Sequence, residues 1–355
     1  MKPTYHIGAV CIAMALAACS GAQPGSIANP VPAVGAPQTS SMAGAATPSV
    51  NKGQRLAGTQ RGTTALILIA NENTGLGGSI REYAESANGN VAPSTVIGHI
   101  NGPYAIAFSS TEGIGIANGH IESGGQAAIQ TFGLAGDLLT GISCFPKPSE
   151  TSAAAFDLKG RLFVSAFLPE GGSAIELFAP GANGCAKPKR TISDEGGLAI
   201  DSNNLLYVAN SKTATIDIFP AGSSTMQAQI GGSNTGLGVP GTSALPGNTV
   251  AVDASRNVYV FDTKTATISE FAAGATGNVA PIRTISGSNT GLSGGNGFSF
   301  GLAVSKTSGK IFVSNPGTNA ILGFAATASG NVAPIQTIAG GATGLADPLG
   351  LVVTE

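Results

Sequence analysis

Residues 267–292 read TISEFAAGATGNVAPIRTISGSNTGL, and residues 320–345 read AILGFAATASGNVAPIQTIAGGATGL. Phe271, Gly277, Asn278, Pro281 and Leu292 of the first stretch return 53 residues later as Phe324, Gly330, Asn331, Pro334 and Leu345. A near-duplication at this spacing is an internal repeat. A repeat of roughly 40 to 50 residues that holds several short strands builds an array of like units rather than one continuous core.

Working outward, an apolar strand with a small polar ending recurs along the chain. It is seen at Ile67 to Asn71, Ile114 to Asn118, Leu206 to Asn210, Val258 to Asp262 and Ile311 to Asn315, and at Phe163 to Phe167 without the polar end. A shorter strand with one aromatic follows each: Tyr83, Phe132, Phe178, Phe219, Phe271 and Phe324. Strands and aromatics agree on six units. Pro93, Pro188, Pro281 and Pro334 stand ten residues after their aromatics and, lacking a ladder donor, suit the start of an outermost strand. A further apolar run ahead of each main strand, such as Leu198 to Asp201 or Val250 to Asp253, brings the total to four strands per unit.

The expected fold is therefore all-β, a six-bladed β-propeller of four-stranded blades. The chain ends supply its closure. The 31 residues after Phe324 and the 18 from Ala65 to Tyr83 together make one period. The C-terminal strand, Leu349 to Thr354, is expected to become the innermost strand of the N-terminal blade, which removes the free sheet edges of a linear array.

Composition agrees. With 52 Gly, 20 Pro and no Trp, the chain is rich in the residues that turns require and poor in exposed aromatic stacking surface. A formal net charge of -2 and the short Lys187 to Arg190 patch argue against nucleic acid as a partner, because phosphate binding needs a concentrated positive field.

Residues 1–18 carry Lys2 and then an apolar run from Ile7 to Ala18, too short for a stable membrane span and suited to a secretory signal. Leu16-Ala17-Ala18-Cys19 resembles the lipobox of bacterial lipoproteins, which implies cleavage before Cys19 and acylation of its thiol. Ser20 stands where an Asp in that family favours inner-membrane retention, so the resemblance implies an outer-membrane lipid anchor in the cell envelope. Residues 19–62, made of Gly, Ala, Pro, Ser, Thr and Gln, cannot bury enough surface to order themselves and read as a flexible linker. Residues 63–355 then form the propeller.

The units resemble NHL-type repeats and are similar to YVTN and SMP-30-like propellers, on the pattern Ile200-Asp201-Ser202-Asn203-Asn204-Leu205-Leu206-Tyr207-Val208-Ala209-Asn210. These families include binding modules, lactonases and lyases, so the resemblance implies fold more than activity.

Each candidate residue carries two readings. Asp157, Asp201 and Asp253, with Ser109 and Ser305 at matching places, form either an acidic ring or the starts of tight hairpins, and the hairpin reading fits their spacing. Asn71, Asn118, Asn210, Asp262 and Asn315 either cap strand turns or, with Asn234 and Asn289, line a binding face. The longest Gly-rich loops, Ser233 to Pro246 and Ser288 to Gly297, are the expected contact surface. The innermost strands should open on the channel at Tyr104, Ser152, Gly197, Asn248, Ser299 and Leu349, with Glu195 the nearest carboxylate. That is a poor ligand set for the divalent metal of an SMP-30-like lactonase, so no metal or other cofactor is expected. His99 and His120 stand near turns and read as surface residues. Cys144 and Cys185 form an even pair in an oxidising compartment and hence a candidate disulfide. Their apparent placement on equivalent outer loops of adjacent blades argues against a bridge. The leading expectation is a non-catalytic binding or interaction protein, anchored to the membrane through Cys19, with a protein or small-molecule ligand on one face. The alternative is a metal-dependent lactonase or related hydrolase.

Overall fold

The computed structural model describes residues 65–72, 77–100, 102–118, 129–143, 150–167, 172–210, 212–238, 248–294 and 300–354. The signal and linker segments, Cys19, His120 and Cys144 lie outside the described residues.

Six antiparallel sheets of four strands each surround a common axis. From the axis outward, blade 1 comprises β24 (Pro348–Val353), β1 (Leu66–Asn71), β2 (Gly78–Ala84) and β3 (Thr95–Ile100). Blade 2 comprises β4 (Pro103–Ser109), β5 (Gly113–Asn118), β6 (Ile129–Phe132) and β7 (Leu138–Ile142). Blade 3 follows with β8 (Glu150–Phe156), β9 (Leu162–Phe167), β10 (Ser173–Phe178) and β11 (Arg190–Ile192). Blade 4 holds β12 (Gly197–Ile200), β13 (Leu205–Asn210), β14 (Thr215–Pro220) and β15 (Ala228–Gly231). Blade 5 holds β16 (Asn248–Val252), β17 (Val258–Asp262), β18 (Thr267–Phe271) and β19 (Arg283–Ile285). Blade 6 holds β20 (Leu302–Val304), β21 (Ile311–Asn315), β22 (Ala320–Phe324) and β23 (Gln336–Ile338).

The expected closure is present. β24 pairs antiparallel with β1, matching Val353 to Ile67 and Leu351 to Ile69. Beyond the ladder, the Thr354 N–H donates to Leu66 O at 2.8 Å and the Leu66 N–H to Thr354 Oγ1 at 3.0 Å. With β1 paired on both sides, the ring has no open seam.

The core lies between blades rather than within one central mass. Each second strand is an apolar run buried on both faces, because a blade sits between two neighbours. The six buried clusters each join two adjacent blades. All six repeat aromatics are buried, and each packs into the layer shared with the preceding blade: Phe271 with blade 4, Phe324 with blade 5, Tyr83 with blade 6. Tyr83 also donates its hydroxyl to Thr343 O of blade 6 at 2.7 Å. Burial pushes that phenol up to about 12, so it remains a donor at any physiological pH.

The duplicated Gly-Asn pair is an interblade clasp. Gly89, Gly277 and Gly330, each between the third and outer strands, bridge in parallel to Ile338, Ile230 and Ile285 of the preceding blade. The following asparagines accept a backbone N–H from that blade at 2.7 Å: Asn90 from Ala342, Asn278 from Asn234, Asn331 from Asn289. Gly287 shows why glycine occupies the receiving turn. Its φ is +114°, and an added Cβ would lie 2.6 Å from the Asn331 side chain.

Candidate functional site

The register fixes which residues share a face. The start of each inner strand lies beside the end of the second strand, as Gly197 beside Ala209 and Asn248 beside Asp262. The crossovers that enter each blade therefore meet the ends of the second strands on one face of the ring. Asn71, Asn118, Asn210, Asp262 and Asn315 end their strands on this crossover face.

Asp157, Asp201 and Asp253 sit on the opposite face and start hairpins. Asp157 Oδ1 accepts the Lys159 and Arg161 N–H groups at 2.9 Å each. Asp201 Oδ1 accepts those of Asn203 and Leu205, at 2.9 and 2.8 Å, and Asp253 Oδ1 that of Asn257 at 2.8 Å. Ser109 and Ser305 do the same through Oγ. The Oδ2 atoms are taken as well, Asp201 Oδ2 by Arg256 Nε of the next blade at 2.8 Å and Asp253 Oδ2 by Asn257 Nδ2 at 2.9 Å. A carboxylate so fully used as a turn acceptor has little left for a ligand.

The side chains that line the axial channel are mostly apolar, with Tyr104, Ser152, Thr249 and Lys306 among them. At the crossover end Tyr104, Ser152, Gly197, Thr249, Phe300 and Gly350 surround about 60 Å³. Toward the other end Phe108, Phe156, Ile200, Val252, Val304 and Val353 surround about 190 Å³. The sequence places the first three mouth residues correctly. In blade 1 the mouth is lined by Gly350, one residue after Leu349; Ser299 and the side chain of Asn248 lie outside the described residues. Gly350 explains the narrowness: a Cβ there would meet Tyr104 O at 2.7 Å, so the inner strands of blades 1 and 2 approach to backbone distance. Among the described residues no three His, Cys, Asp or Glu side chains stand together.

Polar chemistry on the crossover face concentrates in blade 4. The crossover from β11 to β12 is short, and Asp194 within it is buried against the end of β13. Asn210 Nδ2 donates to Asp194 Oδ1 at 2.6 Å and to Asp217 Oδ2 at 3.2 Å. Asp217 Oδ1 accepts from Thr215 Oγ1 at 2.9 Å and Gln229 Nε2 at 2.7 Å, so the cluster reaches the outer strand. Burial, and then the neighbouring Asp217 carboxylate, push the Asp194 carboxyl up to about 7. The Glu195 N–H and Asn210 amide oppose the rise without cancelling it. The pair holds a proton near neutrality, giving the face a group that both donates and accepts.

Sequence reasoning missed Asp194 and Asp217. A signal was available: Asp217 is the one acidic residue among Thr215 to Pro220, in a strand otherwise apolar at buried positions.

The other sequence candidates are distributed as follows. Asn315 Nδ2 donates to Gly291 O at 2.9 Å and Thr318 Oγ1 at 3.0 Å, tying the crossover to its own turn. Asn71 Oδ1 accepts the Ala346 N–H at 2.7 Å. Asn234 and Asn289 are exposed and give their backbone N–H groups to the interblade clasps. Of the Gly-rich loops, residues 239–247 and 295–299 lie outside the described residues. Glu195 is half-exposed on the crossover face, and Lys212 and Lys264 are exposed in its turns. His99 is exposed near the end of β3 with φ +62°.

Cys144 lies outside the described residues, and Cys185 precedes β11. The expected wide separation of their loops needs correction: Ser143 donates its N–H to Gly184 O at 3.0 Å and Gly184 to Gly141 O at 2.8 Å, so the stretches just ahead of the two cysteines run side by side. Cys185 is disulfide-bonded.

Together these features define a six-bladed β-propeller with a narrow axial channel and a buried polar cluster on its crossover face. No protein-family model matches the sequence, and no curated protein does. Solved structures do. A protein of unknown function from Bacteroides caccae superposes with a TM-score of 0.55 at 10% identity, over 82% of this chain and 100% of that one. A chain of the nidogen/laminin complex gives 0.54 at 13% identity, over 82% and 98%. The periplasmic gluconolactonase PpgL of Pseudomonas aeruginosa gives 0.50 at 12% identity, over 82% and 99%. Identity this low shows a shared fold, and no shared site follows from it.

Proposed function

We propose that this chain is an exported, lipid-anchored propeller that binds a protein or small-molecule ligand on its crossover face. The observation that carries the reading is the buried carboxylate and amide cluster of blade 4 on that face, beside the other polar strand ends. The Asp194, Asn210 and Asp217 cluster, Asp262, Asn315 and Asn71 all lie on that face, around a channel whose lining is mostly Ala, Gly, Leu, Ile, Val and Phe, with Tyr104, Ser152, Thr249 and Lys306. Burial of polar groups beside a rigid, apolar scaffold is a common arrangement of binding surfaces carried on loops. The N-terminal segment supports the address: the apolar run ending at Cys19 fits signal cleavage and acylation, with each buried methylene of an acyl chain contributing about 0.8 kcal/mol. Residues 19–62 would act as the tether, holding the propeller on the order of 35 Å from an outer-membrane surface.

The name of the Pseudomonas aeruginosa relative raises a lactonase as the competing activity. That chemistry asks for oxygen ligands converging in the channel. The channel mouth here offers the hydroxyls of Tyr104, Ser152 and Thr249 and no carboxylate among the described residues, so the binding reading is preferred.

One experiment tests both address and face. Full-length protein should pellet with membranes and label with palmitate, and Cys19→Ser should leave it unlabelled in the soluble envelope fraction. The same preparations should retain an envelope component that is lost in a Lys212→Glu, Lys264→Glu variant of the crossover face and kept in Lys159→Glu on the opposite face. Equal retention by all three would overturn the face assignment; a wild-type protein that stays soluble would overturn the anchor.

A further inference from the structure

The ring repeats one polar position at the end of the second strand, and blade 5 breaks its chemistry. In blade 4 Asn210 Oδ1 accepts the Lys212 and Thr213 N–H groups at 3.0 and 3.2 Å, leaving Nδ2 to donate to two carboxylates. In blade 6 Asn315 Nδ2 donates to the entering crossover. Blade 5 carries Asp262 here. Its Oδ1 accepts the Lys264 and Thr265 N–H groups at 2.9 and 3.4 Å, as Asn210 Oδ1 does in its own turn. Oδ2 therefore stands where Asn210 places a donor. Asp262 is 5% exposed, and Oδ2 has no hydrogen-bond partner among the described residues.

A buried carboxylate oxygen without a donor costs more than almost any other side-chain defect, and such a group is normally paired or holds an ion. Among the described residues there is space for an ion on the crossover side: an ideal Cβ on Gly238 would lie 3.5 Å from Asp262 Oδ2 and within 4 Å of no other described atom beyond its chain neighbours. No group of three or more His, Cys, Asp or Glu occurs among the described residues, and Asp262 brings one formal negative charge, which a monovalent ion neutralises, while a divalent one would leave a buried net charge. Carboxylate and backbone oxygens select hard cations.

We infer that Asp262 Oδ2 anchors an alkali-metal cation, sodium or potassium, that ties the blade 5 turn to the Gly236–Gly238 crossover. The ion does in blade 5 what the amide of Asn315 does in blade 6. This inference does not depend on which ligand the face binds.

The test is the melting temperature of the full chain at fixed ionic strength, in choline chloride against sodium, potassium and calcium chloride. Sodium or potassium should raise it by about 2 to 4 °C in a saturable way, the size expected for a bound ion in a domain of this length. Asp262→Asn restores the residue of blades 1, 2, 4 and 6; it should lose that response and, in choline, melt no lower than wild type. Asp253→Asn, whose oxygens are already filled, should keep the response. No difference between choline and alkali salts, a response confined to calcium, or an unchanged response in Asp262→Asn would each overturn the proposal. Stability of Asp262 protein that follows pH and ignores cation identity would assign the oxygen a proton and overturn it equally.

Discussion

Single residues in this protein are legible where they serve the backbone beside them. Asp201 can be read from the sequence because its partners, the N–H groups of Asn203 and Leu205, lie within four residues of it. Asp194 cannot, because its surroundings come from β13 and β14, and only the folded blade brings Asn210 and Asp217 to it. That same environment makes its ionisation a stability term. The folded chain raises the Asp194 carboxyl from 3.8 to about 7, so over that window the native state keeps a proton the unfolded chain has released. Stability from this group is therefore intact below the ordinary carboxylate range and drains as pH rises toward 7, by at most about 1.4 kcal/mol per pH unit. Asp194→Asn keeps the acceptor for Glu195 N–H and Asn210 while removing the charge. Denaturant midpoints measured from pH 4 to 8 should fall for wild type and stay nearly level for the variant, with the variant the more stable above pH 7. Parallel curves for the two proteins would show that the proton is held elsewhere.

At the scale of elements, strand count and order could be deduced, because buried-strand periodicity and the aromatic spacing are local patterns. The role of the repeated Gly-Asn pair could not, since each asparagine serves the neighbouring blade rather than its own. The channel mouth shows a similar limit: the inner strand of blade 1 follows a Gly-rich crossover with no apolar pattern to set its start, and there the mouth is lined by Gly350, one residue later than the sequence suggests. The clasp yields a graded outcome. Asn331→Ala removes one acceptor from an exposed backbone N–H and should lower unfolding free energy by about 0.5 to 1.5 kcal/mol. Gly287→Ala forces a side chain onto φ +114° and against Asn331, which should cost about 1 to 3 kcal/mol. Combining them should cost less than the sum, because truncating Asn331 removes its Cγ and Oδ1 from the path of the new methyl. Urea titrations of the three variants decide it; strict additivity would mean that the two residues do not share one contact.

For the whole molecule, the ring makes stability depend on a junction that is remote in sequence and adjacent in space. β24 supplies Leu351 and Val353 to the inner wall, buries Leu349 and covers the inner edge of β1. Without it, β1 would present an unpaired apolar edge, the feature that closed propellers avoid. Deleting residues 348–355 should therefore remove cooperative thermal unfolding and bring aggregation, although it takes away only one strand of 24. Chain connectivity at the seam, by contrast, is dispensable if the hydrogen-bonded ring itself holds the fold. Leu66 and Thr354 already exchange hydrogen bonds, so a short Gly-Ser linker can join the ends of a chain spanning residues 65–354. New termini can be cut in the exposed turn at Ser223 and Ser224, where few contacts cross. This permutant should keep the circular dichroism of the parent and unfold in one transition within roughly 1 kcal/mol of it. Multiphasic unfolding of the permutant would show instead that the blades assemble in chain order and that the last strand acts as a latch on a preformed array.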